Sequence, residues 1–269
     1  MDVSLYRGFA ALHAFALSLF PESQQWSLRA RLREHLRHIE TVKLPSGVTM
    51  SVVCDHPQVR SRVQRLYTKE PETIKWLDRL KETDVLWDIG ANIGIYSLYA
   101  ALEKGARVMA FEPMRENIEV LQANIRKNNI GDRISVIPVA ASDKEALGKF
   151  FLRNINAGSS GHQFGENFDQ DGNEFKPAGI ETILAARLDC LSDVFGLPTP
   201  THIKIDVDGI EQKVILGAHA LLQKPELKSV LVEVNKGMDR MNKDLLESGF
   251  SMTSKDGHNC IFDRVVHAI

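Results

Sequence analysis

The sequence predicts an α/β protein whose mostly parallel sheet ends in an antiparallel hairpin, preceded by N-terminal helices and a small β-hairpin. Three observations carry that reading. From position 84, short apolar runs alternate with helical patterns, at 84–89, 94–103, 106–111, 114–129 and 133–139, and strands that alternate with helices pair in parallel. Residues 85–97 run an apolar strand into a turn holding Gly90, Asn92 and Gly94, the kind of junction at which such sheets bind ligands. Finally, 250–253 and 259–263 flank Lys255-Asp256-Gly257, and an Asp-Gly pair between strand patterns marks a hairpin turn.

The elements follow in order. Leu5, Phe9, Leu12, Ala16 and Leu19 or Phe20 recur near helical spacing, which reads as a helix packed on the main domain in preference to membrane-surface contact through residues 5–20. A second helix fits 25–40, then a hairpin with strands at 41–44 and 48–54 around Pro45-Ser46-Gly47, then helices at 57–67 and 71–81. Gly131 closes the helix at 114–129 as a glycine placed just past a helix end. Further strands fit 147–153, 202–206 and 229–234, with helices at 209–223 and 238–248. The polar segment 153–179 is a loop, of a length usual for a lid or binding loop. The expected organisation is a helical extension over 1–40 and one domain over 41–269, of which 41–83 leads in and 84–269 forms the core.

Composition narrows the function. With 33 Lys and Arg against 35 Asp and Glu, the charge balance favours neither a nucleic-acid groove nor a strongly acidic partner. Cys54, Cys190 and Cys260 are odd in number and widely spaced, which argues against a disulfide framework or zinc site and fits a reducing cytoplasm. The apolar stretch 9–20 has no small-residue cleavage site and is too short to span a bilayer. A monomer or homodimer fits equally.

The candidate site lies at the strand ends. A dinucleotide fingerprint places a glycine where the backbone meets a pyrophosphate, whereas Gly90-Ala91-Asn92-Ile93-Gly94 has Asn92 there and the acid Asp88 before it. S-adenosylmethionine, which has no phosphate, fits better. Asp88 also has a purely local reading, as an acceptor for loop N–H groups. Glu112, 24 residues after Asp88 in Phe111-Glu112-Pro113, can accept from both hydroxyls of a ribose, or simply complement a helix N-terminus begun by Pro113. Ala140-Ala141-Ser142-Asp143 suits the edge of an adenine ring, with Asp143 as acceptor or as a turn residue.

The fourth core strand empties through Lys204-Ile205-Asp206-Val207-Asp208-Gly209-Ile210-Glu211. Ligands bind beyond the carboxyl ends of strands, so Asp206 faces the same crevice and is the leading candidate base, with Lys204 and Glu211 orienting an acceptor. Asp208 reads as a helix cap, and Glu233 as a partner of Lys204 or a catalytic acid. His162 and Gln163 are the loop's candidate hydrogen-bonding groups, and His162 is an alternative base. A divalent cation bridging the acceptor hydroxyl and Asp206 or Asp208 is an alternative that suits hard oxygen ligands, but no metal-ligand spacing supports it strongly.

At these residues the chain resembles the FkbM family of S-adenosylmethionine-dependent methyltransferases. Besides Asp-Ile-Gly-Ala-Asn-Ile-Gly and Phe-Glu-Pro, the resemblance takes in 67–71, 139–143, 158–160, 187–189 and above all 203–211 followed by Gly217-Ala218. It implies a class I methyltransferase, Rossmann-like fold with a seven-stranded sheet, and O-methylation of a hydroxyl on a sugar, glycolipid or secondary metabolite. The acceptor would be a small molecule or glycan. Asp208 stands where the family often has Glu. An NAD-dependent oxidoreductase and a catalytically silent adenosyl-binding or partner-binding module are the competing readings.

Overall fold

A computed structural model of the chain describes residues 3–169, 171–234 and 238–265. Its contacts divide the chain into two units, Met1–Ile39 and Glu40–Ile269. The first holds helices α1 (Val3–Ser18) and α2 (Glu22–His35), joined where Phe20 N–H returns to the Leu17 carbonyl at 3.0 Å. Leu12 and Leu19, two residues of the expected packing face, are 63% and 70% exposed, and the side chains of Leu5 and Phe9 lie outside the described residues. Among the described residues no helix is long and apolar enough to cross a membrane.

The second unit opens with the hairpin β1 (Ile39–Lys43) and β2 (Thr49–Val53), followed by α3 (Pro57–Gln64) and α4 (Pro71–Leu77). Both helices start on proline, whose missing N–H is no loss in a first turn. The core then runs β3 (Val85–Ile89), α5 (Ile95–Lys104), β4 (Arg107–Phe111), α6 (Arg115–Lys127) and β5 (Ile134–Ile137). It continues through β6 (Ala140–Ala141), β7 (Ala146–Leu152), β8 (Gln163–Phe164), β9 (Gly179–Ala186) and α7 (Leu188–Asp193). The chain closes with β10 (His202–Ile205), α8 (Glu211–Leu216), α9 (His219–Leu222), β11 (Ser229–Glu233), α10 (Met238–Glu247), β12 (Phe250–Asp256) and β13 (Asn259–Arg264).

Seven strands form one sheet in the order β12-β13-β11-β10-β3-β4-β5. β11, β10, β3, β4 and β5 are parallel, and β13 and β12 return antiparallel. Side chains alternate across a strand, so the sheet has two different cores. Leu86, Val108, Ala110 and Leu231 pack with α5 and the β1–β2 hairpin, while Trp87, Ile89, Met109, Phe111, Ile203 and Ile205 pack with α8, α9 and α10. The same alternation puts Asp88 and Lys204 on the first face, side by side in register. Asn124 of α6 and Asn128 at its C-terminal cap occupy one edge of the hairpin: Asn124 Oδ1 accepts from Val53 N–H and Asn128 Oδ1 from Ser51 N–H, both at 2.8 Å.

Two elements differ from the sequence reading. A second sheet, in the order β6-β9-β7-β8, takes β8 from the expected loop segment, and its strand β9 alternates in burial but carries Ile180 and Leu184 at exposed positions, so its sequence shows no apolar-polar alternation. The helix expected over 209–223 is two short helices interrupted at Gly217. A Cβ there would stand 2.0 Å from the Ser142 carbonyl oxygen, so the helix breaks where another backbone crosses it.

Candidate active site

The carboxyl ends of β3, β4 and β10 open on a cavity of about 330 Å³, walled on its far side by β7, β8 and residues 159–162. Gly90, Ala91 and Asn92 form one wall, Phe111-Glu112-Pro113 another, and Val139-Ala140-Ala141 a small apolar corner. Gly90 has φ +83, and a Cβ there would lie 1.9 Å from the Asp206 carbonyl oxygen. The glycine is therefore required by the meeting of two loops, where the sequence suggested the approach of a ligand.

Asn92 also works in an unexpected direction. It sits at φ 53, accepts Ile93 N–H on Oδ1, and donates Nδ2 to the Ser159 carbonyl at 2.7 Å. Its own N–H donates to Glu112 Oε2 at 2.7 Å, while Met114 N–H and Asn117 Nδ2 donate to Oε1. Burial pushes the Glu112 carboxyl up to about 7, against the pull of these three donors. Gly158 N–H bonds Asn117 Oδ1 and Arg62 Nε bonds the Gly158 carbonyl, so residues 158–160 are tied to the cavity rim from three elements.

The opposite end is charged. Lys204 is 1% exposed, with Nζ 2.8 Å from Asp206 Oδ2 and 5.0 Å from the Tyr96 ring centre. Burial disfavours its charge, but Asp206, Asp88 and Glu70 outweigh burial and hold the ammonium firmly protonated. Burial likewise opposes ionisation of Asp206, and the Lys204 ammonium with a hydrogen bond from Glu233 holds it well below the usual carboxylate range. The half-buried Glu233 carboxyl is raised by its hydrogen bond to Asp206 and by burial, so the two carboxyls hold one proton between them. Glu70 lies behind, opposed by burial yet lowered by Lys204 and by Lys69, whose Nζ is 2.5 Å away.

Of the residues read from sequence, Gly90, Asn92, Glu112, Pro113, Ala141, His162, Lys204 and Asp206 line this cavity. Asp88, Gly94, Ser142, Asp143 and Glu211 do not. Asp88 is buried beneath the loop, where Oδ2 accepts from Ser97 Oγ at 2.6 Å and burial raises the carboxyl. Gly94, at φ +81, makes room for Leu121 of α6, and Ser142 binds its neighbour Asp143 beside the crossing at Gly217. Glu211 opens α8 and accepts Gly209 N–H, which makes it, and not Asp208, the acid at that turn.

His162 is turned the wrong way for a base. Its Nδ1 accepts Arg153 N–H at 3.1 Å, which leaves the proton of the neutral ring on Nε2, beside Ser159 Oγ, and burial lowers it to about 4. Sequence reasoning missed Arg62, Lys69, Tyr96, Asn117, Ser159 and His258 on the cavity wall. The stretches 67–71 and 158–160 of the resemblance marked Lys69 and Ser159 without giving either a role. The others lie on helices or a hairpin whose local patterns signal only packing.

The methyltransferase FkbM domain matches residues 88–254, well over half of the chain. Among curated proteins, the chain is 27% identical over 221 residues to the 31-O-demethyl-FK506 methyltransferase FkbM of Streptomyces tacrolimicus, covering 73% of this chain and 82% of that protein. It is 28% identical over 165 residues to the hexuronic acid methyltransferase AglP of Haloferax volcanii, and spans only 61% of that protein's length. A crystal structure of a methyltransferase FkbM from Methylobacillus flagellatus KT aligns with 77% of this chain and 53% of its own, at 19% identity and a TM-score of 0.46. From the matched domain, which runs from the first core strand into the closing hairpin, the chain belongs to the FkbM family of methyltransferases.

Proposed function

We propose that this methyltransferase takes its methyl group from S-adenosylmethionine and places it on a hydroxyl oxygen of a sugar, glycolipid or secondary metabolite. The observation that carries the reading is the division of one cavity into an adenosyl half and a charged half. In the first, Glu112 offers carboxylate oxygens at a strand end and Val139-Ala140-Ala141 a flat apolar corner. In the second, the acids Asp206 and Asp208 line a wall suited to a ligand's sulfonium. The donor and acceptor set therefore fits the cofactor, which supplies an activated methyl group when bound.

The protein's own residues do the rest by placement. Glu112 accepts one ribose hydroxyl on Oε2, the oxygen with a single N–H donor, and the loop at 158–160 covers the site so that water does not compete with the acceptor. The Lys204–Asp206 pair provides a fixed charge that needs no reorganisation during transfer. His162 Nε2–H, 3.2 Å from Ser159 Oγ, helps to hold the loop at 158–160 in place. Two relatives named for oxygen-rich substrates, 31-O-demethyl-FK506 and a hexuronic acid, support this acceptor class.

The test has two parts. Calorimetry with S-adenosylmethionine, S-adenosylhomocysteine and NAD should show binding of the first two only. Incubation of labelled S-adenosylmethionine with glycans and small metabolites should then place the label on oxygen by mass spectrometry. Label on nitrogen or carbon refutes the O-methyl assignment, and binding of NAD alone refutes the cofactor.

A further inference from the structure

The acid that the sequence offers as proton acceptor is already committed. Asp206 holds the Lys204 ammonium at 2.8 Å and the Glu233 carboxyl, and a carboxylate stabilised by such partners is a weak base, because protonation forfeits them. Asp208, two residues on, is held differently. Its φ of 57 is left-handed, a region that Asp and Asn enter more readily than other side chains. Residues 161–163 fix it there: Gly161 N–H donates to Oδ2 at 2.6 Å and Gln163 Nε2 donates to the Asp208 carbonyl at 2.7 Å.

Among the described residues Asp208 forms no ion pair, in contrast to Asp206, and its Oδ1 has no hydrogen-bond partner on the cavity wall. Burial raises its carboxyl, against the pull of Gly161 N–H. A strained conformation held by distant partners, with one oxygen left over beside a cavity, is a common signature of a functional group.

We infer that Asp208, and not Asp206, takes the acceptor's hydroxyl proton, on Oδ1. The inference rests on the adenosyl-dependent O-methyl transfer proposed above. The acceptor oxygen forms its bond to the methyl carbon as the carbon–sulfur bond breaks, and the bonding pair stays on sulfur, which becomes a neutral thioether. The hydroxyl proton passes to Asp208 and, once the products leave, to water. Lys204 and Asp206 act as positioning residues that fix the turn on which Asp208 sits.

The experiment needs no acceptor. Sinefungin is an S-adenosylmethionine analogue with a protonated amine in place of the methylsulfonium, so a base at the transfer point adds to its affinity and not to that of S-adenosylhomocysteine. Calorimetry of the full chain should show sinefungin bound more tightly than S-adenosylhomocysteine. Asp208→Asn should reduce that preference at least tenfold while leaving the S-adenosylhomocysteine Kd within threefold. Asn accepts the left-handed φ and keeps an oxygen for Gly161 N–H, so the variant retains its fold, which a melting curve checks. A preference unchanged in Asp208→Asn, or absent from the unmodified protein, overturns the inference. If the unmodified protein binds neither compound, the adenosyl reading has failed and this inference with it.

Discussion

Under the proposed function, Glu112 ties ligand affinity to pH. Its carboxyl is 5% exposed and raised to about 7 by burial, even with three N–H donors around it. In that reading the ionised form is the better acceptor for a ribose hydroxyl, so binding is favoured above that value and lost as the pH falls through it. The affinity for S-adenosylhomocysteine is expected to fall between pH 8 and pH 6, approaching about tenfold per unit below 7, the limit for one proton. Glu112→Gln should bind weakly and with a flat profile over the same range. A wild-type profile as flat as that of the glutamine variant removes Glu112 from the ligand site.

At the scale of the element, the turn between β3 and α5 is shaped by its neighbours as much as by its own sequence. Gly90 gives way to the Asp206 carbonyl and Gly94 to Leu121, so the loop after β3 is locked against the loop after β10 and against α6. Gly90→Ala meets both a left-handed φ and a backbone contact that cannot retreat. Its expected cost is about 2 kcal/mol or more, read as a lower urea midpoint, together with loss of S-adenosylhomocysteine binding. Gly165→Ala, also at positive φ but with nothing within 4 Å, is the control for backbone strain alone. Equal losses in the two variants would mean that the loop contact contributes nothing.

At the scale of the whole molecule, the core clusters of the second unit begin at Leu44 and include no described residue before it. Residues 40–269 therefore contain the seven-stranded sheet, both of its packed faces and every described residue that lines the cavity. We expect a fragment of residues 40–269 to fold cooperatively and to bind S-adenosylhomocysteine within threefold of the full chain. A fragment that does not fold, or binds more than tenfold worse, would assign the first 39 residues to the site or its support.

The parallel core, the closing hairpin and the part of the cavity wall at Gly90, Asn92 and Glu112 were legible in the linear sequence. Those features depend on local signals: apolar runs of strand length, an Asp-Gly turn, glycines at the end of β3, and an acid at the end of β4. Each acts within a few residues of itself, so a linear reading can find it. The tertiary structure alone decided the charged half. Whether Asp206 is a base or a locked anion depends on Glu233 from β11 and on three acids converging on one buried Lys204. Whether Asp208 caps a helix or faces a cavity depends on Gly161 and Gln163, more than 40 residues away in sequence. Protonation and orientation are set by electrostatics and hydrogen bonds between segments distant in the chain, and those pairings exist only once the segments have packed.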